Sequence, residues 1–351
     1  MAIEKAARIE IFKSFGATDK QAEELFVYSR SCLTEQFTPD LSTDEPFIEV
    51  WKVYYEESKE NGAFNTLRKY LPRLNFPIAE DISKTEEYKD VTLKGNPCNR
   101  NYDLLTYPDD LTLSLYQSKA GYIPILFTEH REDFISLVRA LAHKNEPYTI
   151  SNSIGAGMVK GYNNWDRINR YRAIWETENK EKNWSEYFEE FKNHKELYQD
   201  RFIILSNNGY SGLNSDAFSL SEEEWRKISF LIRREHECTH YFTERVFGSA
   251  RNNMFDELIA DYAGIIKALG RYDAKWFLTF AGLENYPKYR QGGRMEHYRG
   301  NPPLSDGAFI ILQRLVYQCA LNLEAANEQT VDAEKLIELY GLSLEELAVS
   351  Q

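Results

Sequence analysis

The sequence predicts an α+β fold: a helical N-terminal region, a small mixed or antiparallel sheet, and a helical C-terminal half. Three observations predict it. The first 80 residues pair helix-spaced apolar positions with capping residues. Short β-branched and aromatic runs then appear between about residue 85 and residue 205. From Ser221 the chain reads as helix again, broken by Gln291-Gly292-Gly293 and Asn301-Pro302-Pro303.

The elements follow in order. Residues 3–15 form a first helix. Thr18 with Gln21 is a capping box for a second, reaching about Leu33. Thr43 or Asp44 with Pro46 starts a third through Val53-Tyr54-Tyr55, and a short fourth ends before Pro72. Val91-Thr92-Leu93, Leu111 to Leu115 and Tyr122 to Phe127 read as strands, followed by a helix from about Arg131 to His143. Tyr148-Thr149-Ile150 reads as a further strand and residues 164–200 as charged helix. Phe202 to Leu205 is the clearest strand, running into a turn-rich Ser206 to Gly212. Gly155-Ala156-Gly157 lacks a strand-to-helix context and reads as a flexible turn, not a nucleotide loop. The change near residue 85 separates a helical region, 1–85, from a main domain, 86–351, or lies within one compact fold.

Composition narrows the partners. Fifty-five Asp and Glu against 42 Lys and Arg give a net charge of −13. That balance disfavours nucleic acid and anionic membranes. No window approaches the roughly 18 apolar residues of a membrane span, and the charged N-terminus is not of signal-peptide type. Cys32, Cys98, Cys238 and Cys319 form no CxxC pair, so free thiols in a reducing cytoplasm are expected.

The chemistry-bearing motif is His236-Glu237-Cys238-Thr239-His240. Ser221 with Glu224 starts its helix and Gly248 stops it. At 100° per residue, His240 lies about 40° and Glu237 about 100° from His236, with the histidines about 6 Å apart along the axis. Trp225, Ile228, Ile232 and Val246 form the apolar stripe, so the motif sits on its shoulder. Arg233, one turn earlier, reads as a solvated residue or a contact for an anionic substrate group. The next helix runs from about Met254 to Leu269, closed by Gly270. Glu257 and Asp261 share one face. Ala260, Gly264 and Ala268 make that face small enough to approach the first helix. Asp256 points about 100° from Glu257 and is the weaker ligand candidate.

Two neutral imidazoles and one carboxylate suit a single Zn²⁺ with an open position. Glu237 is placed to act as general base. Asp261 can hydrogen-bond a ligand histidine and fix its tautomer. His297 and Tyr298, between the glycine and proline breaks, compete as donors to an oxyanion, against an ordinary loop. The bland reading of the motif is a pair of surface histidines at i,i+4. As an edge strand beside a cleft, Phe202 to Gly212 would pair with an extended peptide; as an ordinary strand it needs no function.

The motif and Glu257-Leu258-Ile259-Ala260-Asp261 together resemble the gluzincin zinc metallopeptidases, over roughly residues 221–270. The resemblance implies a zincin-like fold for residues 86–351. It implies His236, His240 and Glu257 as zinc ligands, Glu237 as base and Asp261 as partner of a ligand. The function expected is then a soluble, cytoplasmic zinc-dependent hydrolase acting on a peptide. A metal-dependent hydrolase of a non-peptide amide or ester of a small molecule stands as the alternative, as does a non-catalytic binding or regulatory protein on a peptidase-like scaffold.

Overall fold

The computed structural model describes residues 5–29, 41, 43–248 and 253–350. The chain divides into two units: Met1–Asp40 with Leu213–Gln351, the split unit, and Leu41–Gly212, the sheet unit. The compositional change near residue 85 falls inside the sheet unit.

The split unit begins with α1 (Lys5–Ser14) and α2 (Asp19–Tyr28). The Thr18–Gln21 capping box forms, but the helix ends at Tyr28 with Ser29 as its cap, short of the expected Leu33; residues 30–40 lie outside the described residues. The sheet unit follows with α3 (Ile48–Asn61), α4 (Ala63–Tyr70), α5 (Glu86–Lys94), β1 (Thr112–Ser118), β2 (Gly121–Thr128) and α6 (Arg131–Leu141). It is completed by β3 (Ala156–Asn163), α7 (Trp165–Glu178), α8 (Trp184–Phe191) and β4 (Gln199–Ser206). The split unit resumes with α9 (Glu222–Phe247), α10 (Met254–Leu269), α11 (Ala274–Ala281), α12 (Asp306–Ala325), α13 (Ala333–Tyr340) and α14 (Leu344–Val349). Fourteen α-helices and one mixed four-stranded sheet among the described residues make the fold α+β. No described helix is long and apolar enough to cross a membrane.

The sheet has the order β1-β2-β4-β3. β1 and β2 form an antiparallel hairpin, β2 and β4 run parallel, and β3 and β4 antiparallel. β4 therefore uses both backbone edges, and Phe202 to Leu205 are fully buried. It is an interior strand, which overturns the edge-strand reading of Phe202 to Gly212: among the described residues no ladder is left free from Ile203 to Leu205. Phe202 and Ile204 pack with Trp51, Leu67, Phe134 and Leu137 in the unit's core.

Two strand expectations fail for identifiable reasons. Val91, Thr92 and Leu93 lie in α5, where capping outweighs β-branching. The Thr85 hydroxyl accepts from the Tyr88 amide at 3.3 Å, Glu86 and Glu87 occupy the first turn, and Gly95 closes the helix at φ +72°. Tyr148-Thr149-Ile150 forms no strand. The strand is β3, which starts in the segment read as a flexible turn. Pairing with β4, irregular between Lys160 and Tyr162, supplies what its glycine-rich sequence lacks.

In the split unit the expected helix limits hold. The Ser221–Glu224 capping box starts α9, and Gly248 and Gly270 close α9 and α10 in the left-handed conformation. α9 is buried over most of its circumference, not along one stripe. Arg233, expected in solvent, is therefore only 2% exposed.

Candidate metal centre

α9 and α10 come into close contact where Gly264 meets Ile232. A methyl group on Gly264 would stand 2.7 Å from the Ile232 carbonyl oxygen. The absence of a side chain there lets the helix carrying Glu257 lie against the helix carrying His236 and His240. The three side chains converge: one ligand atom from each lies within 4.8 Å of the other two.

The pairwise geometry suits a small cation. The two Nε2 atoms are 2.9 Å apart. Glu257 Oε2 is 3.6 Å from His236 Nε2, and Oε1 is 3.4 Å from His240 Nε2. Donors about 2.0–2.1 Å from a tetrahedral Zn²⁺ would be about 3.3 Å apart. An N–H···N hydrogen bond would explain the histidine pair by itself. The buried Glu257 carboxylate turned toward both nitrogens needs in addition a positive charge between them, a shared metal cation or a proton on a histidine.

Each histidine also has an acid behind it. His236 Nδ1 is 2.8 Å from Asp261 Oδ1. His240 Nδ1 is 3.4 Å from Asp256 Oδ2, and these two buried atoms otherwise lack a hydrogen-bond partner. The other Asp256 oxygen accepts from the Tyr340 hydroxyl at 2.8 Å. Asp256 does point away from Glu257, but toward the outer nitrogen of His240. Acids so placed keep the proton on Nδ1 and turn the Nε2 lone pairs inward. The signal for Asp256 was its place beside Glu257 in the sequence, and spacing alone did not reveal its partner.

Arg294 also belongs to the cluster and went unnoticed in the sequence. Its guanidinium forms an ion pair with Asp261, and its Nε lies 3.9 Å from Glu257 Oε2. It comes from a 3-10 turn, Arg294–Tyr298. With both imidazoles neutral, as metal ligation requires, three carboxylates (Asp256, Glu257, Asp261) against one guanidinium leave this set two negative charges. A divalent cation matches that imbalance.

The titration behaviour points the same way. Burial would raise the Glu257 carboxyl, but His236, His240 and Arg294 hold it well below the usual carboxylate range. Burial would raise Asp261 too, and Arg294 and His236 outweigh it, leaving the group lowered. Burial would lower His240, yet Asp256 and Glu257 hold its proton well above the ordinary 6.5. The cluster thus favours positive charge at the point where the Nε2 atoms meet.

The remaining expected residues differ in placement. Glu237 follows His236 on α9 and is half-buried. Among the described residues its carboxylate has no hydrogen-bond or ion-pair partner, unlike the other acids of the site. Tyr298 faces Glu257. Burial first, then the Glu257 charge, push its phenol far above the ordinary 10, so it stays a protonated donor. His297 is exposed on the same turn, and no contact brings it to the cluster among the described residues.

A cleft in the sheet unit, lined by Arg68, Arg100, Trp165 and Asp166, contains none of these residues. Its arginines are engaged, Arg68 with Asn75 and Tyr102, Arg100 with Glu87. The candidate site is therefore the His236–His240–Glu257 cluster, where ligand atoms converge. No curated protein and no solved structure is significantly similar to the chain. It belongs to a family of unknown function, DUF7005, whose profile matches residues 10–351.

Proposed function

We propose that the chain is a gluzincin-like zinc hydrolase acting on a carbonyl substrate, with a peptide bond as the leading case. The observation that carries this reading is the convergence of His236, His240 and Glu257, with an acid behind each histidine. A zinc ion held by these three residues would polarise a carbonyl and acidify water. The zincin-like arrangement of α9 and α10 is part of the same proposal.

The chain's own groups divide the remaining work. Glu237, beside the ligands and uncommitted among the described residues, takes a proton from the attacking water and returns it to the leaving group. Tyr298, kept protonated, donates to the negative charge developing on the carbonyl oxygen. His297 is the other donor on that turn. Asp256 and Asp261 fix the imidazoles, and Arg294 balances the acids around them.

Metal analysis of the purified full chain tests the proposal. One Zn²⁺ per chain is expected, lost in His236→Ala, His240→Ala and Glu257→Ala. Glu237→Gln should keep the metal and lose turnover of peptide and ester substrates. A metal-free wild-type chain, or variants indistinguishable from it, overturns the reading.

One observation favours a second reading of the substrate. β4 is paired on both sides, which removes the peptide-pairing strand that the sequence offered. A small non-peptide amide or ester fits that loss. Hydrolysis of small esters without cleavage of any peptide in a mixed library would select it.

A further inference from the structure

Tyr28, the last residue of α2, touches the metal centre's framework at two points. Its hydroxyl accepts from the Met254 amide at 2.9 Å and donates to the Tyr298 carbonyl at 2.8 Å. Met254 opens α10, one turn before Glu257, and its amide is among those a helix start leaves without an internal partner. Tyr298 ends the turn that begins with Arg294. That turn already reaches α10 from its other end, through the Arg294–Asp261 ion pair. The Tyr28 ring lies against Gly300, where a Cβ would come within 3.0 Å of it, at a backbone φ of +88°. A hydroxyl with one donor and one acceptor function is fully used by these two bonds.

We propose that Tyr28 is a positioning residue of the metal centre: it clamps the Arg294–Tyr298 turn to the start of α10 and so holds the turn at a fixed height over Glu257 and Asp261. The inference rests on the metal reading above. It makes the N-terminal helices a working part of the site. Burial pushes the Tyr28 phenol well above its ordinary value, so the clamp keeps its proton through the neutral range.

Tyr28→Phe removes both bonds and keeps the ring against Gly300. The helix pair stays attached elsewhere. Arg8 pairs with Glu345, Glu24 accepts from the Ser305 amide at 3.0 Å, and Arg314 donates to the Phe15 carbonyl at 2.8 Å. The fold should therefore survive.

The test measures metal affinity and amide hydrogen exchange on the full chain, with Zn²⁺ and with Co²⁺ as a spectroscopic substitute. In Tyr28→Phe we expect about tenfold weaker metal binding, the loss typical of an outer partner of a metal site. We also expect an altered Co²⁺ spectrum and faster exchange confined to the start of α10 and residues 294–300. In the wild-type chain, zinc should slow exchange in the last turn of α2 together with those two segments. Unchanged affinity and exchange in the variant, or no response of α2 to zinc in the wild type, overturns the clamp. A purely structural role would lower the melting temperature and speed exchange throughout the unit without a change in affinity, and that too overturns it. A wild-type chain that binds no metal overturns the metal reading first, and the clamp with it.

Discussion

Gly264 should set metal affinity from a distance, through the spacing of two helices. It lies two turns after Glu257 on α10 and faces Ile232, one turn before His236 on α9. In Gly264→Ala the new methyl would meet Ile232 at 2.7 Å from its carbonyl oxygen, 3.1 Å from Cγ2 and 3.2 Å from Cα. Two of those atoms are backbone and cannot rotate away. A carbon–oxygen contact relaxes near about 3.3 Å, so the helices must part locally by about 0.6 Å. Metal sites hold their ligand distances to within about 0.2 Å. Glu257, now 3.4 and 3.6 Å from the two Nε2 atoms, would move out of range of a shared ion. Overpacking costs about 1–3 kcal/mol. Replacing a helical glycine with alanine returns about 1 kcal/mol. The expected balance is a metal-free chain destabilised by up to about 2 kcal/mol, with at least tenfold weaker zinc binding. Urea unfolding and a chelator competition measure the two. A variant about 1 kcal/mol more stable, with unchanged zinc affinity, would refute the reasoning, because intrinsic helix propensity would then be the only effect present.

Further outcomes follow from other contacts. Asp261→Asn and Asp256→Asn should each weaken zinc binding by roughly 10–100-fold without abolishing it, as removal of a histidine's carboxylate partner does; chelator competition checks this, and unchanged affinity in both removes them from the site. In the sheet unit, Asp200 is fully buried, which raises its carboxyl from an ordinary 3.8 to about 6 despite Arg167, Asn164 and Trp51. A raised acid binds its proton more tightly when folded. Its contribution of about 3 kcal/mol is present below pH 4 and lost as pH rises through 6. Urea melts followed by Trp51 fluorescence should show this fall in the wild type and not in Asp200→Asn; parallel profiles would contradict it. Gly95→Ala should destabilise the sheet unit by about 2 kcal/mol or more, since φ is +72° and a Cβ would run into the Trp165 ring. Denaturant unfolding of that variant decides it, and wild-type stability would mean that Trp165 yields freely.

What could be read in the sequence was local chemistry. The start of α2, both ends of α9 and the C-terminal end of α10 follow from Thr18 with Gln21, Ser221 with Glu224, and the glycines at 248 and 270, because a cap involves residues at most a few positions apart. The shared face of His236 and His240 follows from the helical repeat, as does that of Glu257 and Asp261. The rest depended on residues distant in the chain. β3 owes its extended form to β4, some forty residues on, so a glycine-rich segment could not announce it. Asp256 points away from Glu257 as expected, but the meaning of that direction appears only when His240 occupies it. Tyr28 and Tyr298 are 270 positions apart and belong to no common pattern. Helical period gives each side chain a direction, and packing decides what lies there. The candidate metal ligands could be named from the sequence because HExxH and ExxxD set their directions within single helices. Their supporting groups could not, because Arg294, Asp256 and Tyr28 act across elements whose approach is fixed by contacts such as Gly264 against Ile232.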